Sequence, residues 1–263
     1  MSDAAWSAIA KSVGLHRHDF DVAPLVVSAE AIKAATTSFK KVNEREVRIL
    51  CKQDSREDRP KIFKDLGLFL LPIRNGSYAI LRGEGYIDIP KISGEPRNYH
   101  SKLDFHLDTS VVGNSEMQHL DFAYASSLIR TFFEDASLVL TLRGRKYTPK
   151  FSLLVGKQRL EVEGVQTEVD AGYEGRERIV LVEAKNSKTT NVILRQLYYP
   201  FRQWQYCTAK PVHTVFFERQ GTDYLIWEFR FKQIENYNSV ELVRSQRFSI
   251  TAPKLQIKEA RAL

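Results

Sequence analysis

The chain has 263 residues, of which 43% are hydrophobic and 27% charged, with 39 Lys+Arg against 32 Asp+Glu and a formal net charge of +7. This balance excludes a disordered polyelectrolyte and suits one large or two small domains with buried cores; no apolar run approaches membrane-spanning length, so no membrane partner is expected. The excess of cations favours a polyanionic partner, because phosphate contacts supply most non-specific affinity for nucleic acid.

In chain order, residues 4–13 form a short amphipathic stretch, and Ser28 stands as an N-cap before a helix opened by Ala29-Glu30-Ala31. A further helix is expected over residues 43–51. Residues 58–66 read as another, with Pro60 in its first turn and Gly67 ending it. Apolar runs at 68–73 and 78–81 flank Asn75-Gly76, the strongest short-range hairpin signal. Helices followed by a hairpin resemble a winged-helix pattern. That pattern implies DNA recognition by the helix near residues 58–66 and by a wing at Arg74 to Ser77; the alternative is a small packing or interaction domain. Residues 1–95 are assigned to this winged-helix-like unit and residues 96–263 to a second domain.

Residues 82–113 are rich in Gly, Pro, Asn and His and are expected to hold short strands and the connection between the two units, with 87–90 extending the hairpin sheet. His100, Asp104 and His106 fall here without the spacing of a metal site, and His16-x-His18 reads as a solvated loop pair. The period over 115–129 is helical, with Met117, Leu120, Tyr124 and Leu128 as the apolar stripe and Ser115 or Asn114 as the cap. Strand-like runs follow at 138–142, 150–155, 166–170 and 179–184. A long helix is expected over 190–206, with Leu194, Leu197, Phe201 and Trp204 inward and a kink or break at Pro200. Runs at 212–217 and 224–229, joined through Gln220-Gly221, supply two more strands. Helix, strands, helix, strands describe an α/β fold with a mixed sheet flanked by helices.

The chemistry concentrates around residues 167–204. Asp170 ends one strand-like run, and the run Ile179-Val180-Leu181-Val182 delivers Glu183-Ala184-Lys185. Strand alternation puts Glu183 and Lys185 on one face. Two carboxylates and a lysine converging at strand ends suit a metal-dependent phosphodiesterase: the carboxylates hold Mg²⁺, and the ammonium sits beside the attacking water or the scissile phosphate. The plainer reading of the same residues is a solvated acid and a surface lysine at the end of a core strand.

At these positions the chain resembles the PD-(D/E)XK nuclease superfamily, most closely the type II restriction endonucleases. Asp170 matches the first acid, and Glu183 and Lys185 match the (D/E)-x-K element; Val169 stands where a proline often precedes the acid. The helix carrying Arg195-Gln196-Leu197-Tyr198-Tyr199-Pro200-Phe201-Arg202 is similar to the helix that follows the motif in some of those enzymes. The resemblance implies a restriction-endonuclease-like core and Mg²⁺ bound by Asp170, Glu183 and the Ala184 carbonyl. It also implies a helix leaning over the first catalytic strand, from which Glu116, or else Asp121, adds an acid. It further implies sequence-specific hydrolysis of double-stranded DNA by a homodimer. A repair, junction-resolving or RNA nuclease of the same fold, or a noncatalytic DNA-binding protein, are the alternatives.

Other candidates divide between function and packing. Arg143, Arg145 and Lys146, placed in a Gly-containing turn, can reach phosphate or guanine, or form a charged hairpin tip. Arg195 and Arg202 can contact phosphate or face solvent. Gln196 with Tyr198 or Tyr199 can touch the site or form a packed aromatic face, and Glu168 can serve as an auxiliary acid or a surface residue. Cys51 and Cys207 lie far apart with no zinc-like cluster, and no signal peptide is visible, so a reducing cytoplasmic setting is expected.

Overall fold

The computed structural model describes residues 2–111 and 115–251. Three of its helices start in the same way. Ser2, Ser28 and Ser115 sit in extended backbone, and each hydroxyl accepts the N–H three residues on, from Ala5, Ala31 and Gln118 at 3.4, 3.1 and 3.1 Å. Each bond satisfies one of the donors that a helix start leaves free. Asn114, the other cap considered, lies outside the described residues.

The N-terminal unit contains α1 (Asp3–Ser12), β1 (Leu25–Ser28), α2 (Ala29–Ala35), α3 (Val42–Arg45), α4 (Val47–Leu50), α5 (Lys61–Leu66), β2 (Leu68–Arg74) and β3 (Ser77–Arg82). The strands form an antiparallel sheet in the order β1-β3-β2, with Gly76 at φ 71° in the Asn-Gly turn. Trp6, Ile9, Ile32, Leu50, Phe63, Leu68 and Ile80 make its core. The single helix expected over 43–51 is two short turns, because Glu46 takes an extended backbone (φ −74°, ψ 115°) between them. The next helix starts at Lys61, not near Asp58. Pro60 disfavours helical geometry at Arg59 and itself stands as the extended N-cap, while Gly67 at φ 63° closes the helix in the left-handed region.

The second part contains β4 (Tyr86–Asp88), β5 (Arg97–His100), α6 (Glu116–Ala125), α7 (Leu128–Phe133), β6 (Val139–Tyr147), β7 (Phe151–Val155), β8 (Gln158–Val162), β9 (Gln166–Glu174), β10 (Ile179–Lys185), β11 (Asn191–Ile193), α8 (Arg195–Cys207), β12 (Val212–Gln220), β13 (Asp223–Phe231) and β14 (Val240–Thr251). Seven strands form a mixed sheet in the order β5-β14-β13-β12-β10-β9-β6. The β10–β12 and β14–β5 pairs are parallel and the rest antiparallel. One face carries α6 and α7 over Val180, Val182, Ala184, Val215, Phe217 and Ile226. On the other, α8 and the β7–β8 hairpin pack over Phe216, Leu225, Trp227, Phe229 and Phe231. The architecture is therefore mixed α/β.

Several expectations are corrected. Residues 87–90 do not extend the N-terminal hairpin; β4 pairs antiparallel with β11. The helix from Ser115 stops at Ala125, since Ser127 turns left-handed (φ 64°) before α7. Residues 191–193 are strand, so the long helix starts only at Arg195, and it runs past Pro200 without a break. Arg143, Arg145 and Lys146 lie not in a turn but within β6, whose register shifts around Gly144 at φ 81°. β5 is one of the short strands expected in the 82–113 segment, whereas the sequence pattern does not mark β1, β8 or β14. β14 pairs with β13 over nearly its whole length, yet its row of half-exposed Glu, Arg, Ser and Gln hides any clean alternation.

The two parts are stitched together at many points. Asn191 is buried; its Oδ1 accepts the Arg56 N–H at 2.7 Å, and its Nδ2 donates to Glu57 at 2.8 Å. The Ile193 N–H donates to the Asp54 carbonyl at 2.8 Å, and Tyr199 Oη donates to the Pro72 carbonyl at 2.9 Å. Gly85 is a second junction. Its carbonyl accepts from the Leu194 N–H at 3.0 Å and from Tyr237 Oη at 3.1 Å, and a Cβ there would penetrate the Phe69 ring. Gly85→Ala is therefore expected to destabilise the chain by about 1–3 kcal/mol, the usual cost of overpacking a core. Urea denaturation measures this; a midpoint equal to the parent's would refute the close packing.

Candidate functional site

Alternation along β10 sends Val180, Val182 and Ala184 into the core beneath α6 and α7. Ile179 and Leu181 face the opposite side, with Trp204 of α8, and Glu183 and Lys185 continue that row. The expected shared face for Glu183 and Lys185 is what the structure has, and Lys185 Nζ donates to Glu183 Oε1 at 2.5 Å.

Asp170 reaches the same place by another route. It does not end a strand, because β9 continues to Glu174. Between Leu142 and Gly144, β6 advances two residues while its partners on β9, Gly172 and Val169, are three apart. The extra residue is a β-bulge across Asp170 and Ala171, a feature that re-aims side chains. Val169 thus packs on the α8 side and Ala171 under α6 and α7, although strict alternation would put both on one face. The ladder between β9 and β10 ends at Val182↔Ala171. Immediately beyond, the Ala184 N–H donates to Asp170 Oδ2 at 2.7 Å. A side-chain carboxylate stands where the next backbone acceptor would be.

The electrostatics follow from crowding. Burial pushes the Glu183 carboxyl up to about 7; Asp170 and Asp54 add to the rise and Lys185 opposes it. Burial also raises Asp170, against the Ala184 N–H and Lys185, with Glu116 and Glu168 adding repulsion. Burial alone would depress the Lys185 ammonium, but Glu183, Glu116 and Asp170 hold it above its ordinary value. Two partly buried carboxylates share one cation, which is the sort of strained charge balance found at functional sites.

These groups open into a cleft of about 730 Å³ between the two parts of the chain. Glu116, Arg145, Glu168, Asp170, Glu183, Lys185, Arg195 and Gln196 line one side, and Arg48, Lys52, Asp54, Arg74 and Tyr78 line the other. Gln196 also borders a small void beside Glu183, and its buried Oε1 has no hydrogen-bond partner. Glu116, in the first turn of α6, belongs to this cleft as the sequence suggests. Glu168 lines it too, in an ion pair with Arg145 at 3.4 Å.

Other candidates go elsewhere. Asp121 and Arg143 form an ion pair with each other, and neither lines the cleft. Lys146 is exposed and does not line the cleft. Arg202 is a structural brace: its Nη1 donates to the Ser152 carbonyl and Tyr198 Oη, both at 2.8 Å, and its guanidinium stacks on Phe151. Tyr198 and Tyr199 are fully buried, which bears out the packed aromatic face. Arg48, Lys52 and Asp54 were not singled out from sequence. They sit in and after a four-residue helical turn, and only the fold shows that they face Asp170.

Residues 3–80 match the family described as domain of unknown function DUF6996, and residues 81–249 match the family described as domain of unknown function DUF6997. The chain belongs to the DUF6997 family. The two matches meet inside β3, with no linker at their junction. No curated protein and no solved structure matches the chain. In this DUF6997 chain Cys51 and Cys207 are free thiols, and burial pushes Cys51 up to about 12. Among the described residues no helix is long and apolar enough to cross a membrane.

Among the described residues no three His, Cys, Asp or Glu side chains converge as a ready metal cage. The oxygen donors present still fit Mg²⁺, which commonly takes only one or two carboxylates and fills its shell with water and substrate phosphate. Asp170, Glu183 and the Ala184 carbonyl are the residues that would hold it, with Glu116 nearby. Asp170→Asn keeps an acceptor for the Ala184 N–H while removing one of two repelling charges. It is expected to raise the melting temperature of the metal-free protein by about 2–4 °C, the increment that about 1 kcal/mol gives a chain of this size. Mg²⁺ or Mn²⁺ is expected to stabilise the parent and not this variant. Scanning calorimetry with and without metal checks both statements, and an equal metal-induced shift in parent and variant would remove Asp170 from the site.

Proposed function

We propose that the protein is a Mg²⁺-dependent, sequence-specific DNA endonuclease of the PD-(D/E)XK type, most like a type II restriction enzyme, that hydrolyses phosphodiester bonds in double-stranded DNA. The observation that carries this reading is the meeting of Asp170, Glu183 and Lys185 at one point where two strands part, in a cleft lined by arginines. The restriction-like core and the winged-helix-like N-terminal unit belong to the same proposal. The mixed sheet, with α6 and α7 on one face and α8 on the other, supports the first. The helices preceding the β2–β3 hairpin support the second.

The chain's own groups divide the work. Asp170 and Glu183 supply the anionic oxygens, and the Ala184 N–H fixes the orientation of Asp170. When bound, Mg²⁺ lowers the pKa of water and screens the phosphate. Lys185 holds a proton and positive charge beside Glu183, placed to steady the negative charge that grows on phosphorus oxygens during attack. Gln196 offers an amide next to Glu183 for a substrate or water hydrogen bond. Arg195, lining the same cleft, faces the phosphate path.

Asp170→Asn, Glu183→Gln and Lys185→Ala are each expected to lower cleavage by about a thousandfold or more, since the three groups act as a unit. The assay is digestion of several unmethylated plasmids with Mg²⁺. Discrete bands support a restriction enzyme, and a smear indicates a nonspecific nuclease. A gel shift without cutting indicates a noncatalytic binder. Parental cleavage by a folded Glu183→Gln protein would sink the assignment.

Among the described residues there is one such site, so cutting both strands of a symmetric sequence calls for a homodimer on DNA. Light scattering of the DNA complex is expected to give two chains per duplex. One chain per duplex, with double-strand cutting first order in enzyme, would exclude the dimer.

A further inference from the structure

The wall of the cleft opposite the carboxylates is built entirely by the N-terminal unit, and its charges are unevenly engaged. Lys52 is paired with Asp54 at 3.4 Å. Arg48 and Arg74 are exposed, and among the described residues neither has a carboxylate at ion-pair distance. Arg48 comes from α4 and Arg74 from the end of β2 at the hairpin turn, so two separate elements aim unpaired guanidiniums into one groove. The helix that a winged-helix pattern would use for recognition, α5, is absent from the cleft lining. Its cations are already engaged, Lys61 with Asp65 at 2.8 Å and Lys64 with the Glu57 carbonyl at 2.7 Å, and its Phe63 packs on Trp6.

Unpaired guanidiniums facing a carboxylate-rich site across a cleft invite a bridging polyanion. Arginine suits this because its planar fork matches phosphate oxygens and is lightly hydrated. We infer that Arg48 and Arg74 form a backbone clamp that holds the phosphates of a DNA strand against Asp170, Glu183 and Lys185, so that the N-terminal unit is the second jaw of the site and α5 is not a DNA-reading helix. The inference rests on the nuclease reading for what happens at the far wall, but the clamp is measured by binding alone. Phosphate contacts position the duplex without reading its sequence, so the clamp sets affinity and register, not the recognition sequence.

The test is fluorescence anisotropy of a labelled short DNA duplex with the full-length protein, in Ca²⁺, across a series of salt concentrations. Arg48→Ala/Arg74→Ala is expected to weaken binding by about tenfold or more and to make the salt slope shallower by about 2, one for each lost phosphate contact. Lys61→Ala/Lys64→Ala removes the same net charge from α5 and is expected to leave affinity and slope near the parent's. Calorimetry on each variant confirms that it is folded. Equal weakening by both pairs would show that only overall charge matters and would overturn the clamp, as would parental binding by the arginine variant. No DNA binding by the intact chain, or tighter binding to RNA of the same sequence, would also overturn it. Binding with the expected pattern but no cleavage in Mg²⁺ or Mn²⁺ would support the clamp and overturn the nuclease reading.

Discussion

The hydrogen bond from the Ala184 N–H to the Asp170 carboxylate governs the rest of the site. Neighbouring strands normally satisfy each other's backbone, and a donor left without a partner in a buried sheet is costly. Here the β9–β10 ladder ends at Val182↔Ala171, beside the bulge that β9 carries against β6, and the Asp170 side chain meets the Ala184 N–H just beyond. The bond follows directly on the last β9–β10 pair and holds the acid in the cleft with Glu183. Burial raises the carboxyls of both Glu183 and Asp170, and for Asp170 this bond opposes the rise.

The legible part of this arrangement was the part built by alternation. Ile179 to Val182 announce a buried strand, and counting by two from it puts Glu183 and Lys185 together, as they are. The caps at Ser28 and Ser115, the Asn-Gly turn and the hairpin around Gly221 are likewise written in local chemistry that tertiary contacts do not override. Asp170 was found by its residue type and spacing, but its means of arrival was not legible. A bulge adds a residue without changing composition, and nothing in Glu-Val-Asp-Ala-Gly marks where the extra one falls.

The misreadings share a cause. Residues 191–193 continue a helical-looking segment, yet β4 claims them as a strand because Asn191 is drawn into hydrogen bonds with Arg56 and Glu57. β14 escaped notice because an outer strand with charged residues on both sides lacks the period-two signature. Arg202 reads in sequence as a phosphate contact or a solvated residue, because a sequence does not show that the carbonyls of Ser152 and Ile234 converge on it. For Asn191 and Arg202 a partner more than thirty residues away decided the outcome. The same holds for the second wall of the cleft, whose arginines acquire meaning only from what they face.

The stitching around Asn191 bears on how anything enters the cleft. Bonds from Gln53, Asp54, Arg56, Glu57, Pro72 and Ile73 tie the N-terminal unit to β4, β11, α8 and the segment after β8. The junction between the two family segments lies inside a hydrogen-bonded strand, so it provides no hinge. Under the proposed clamp, these bonds make the aperture a fixed gauge, and accommodation falls to the DNA. A rigid gap favours sequences that bend or narrow cheaply, so base steps that no side chain touches would still be sorted by their stiffness.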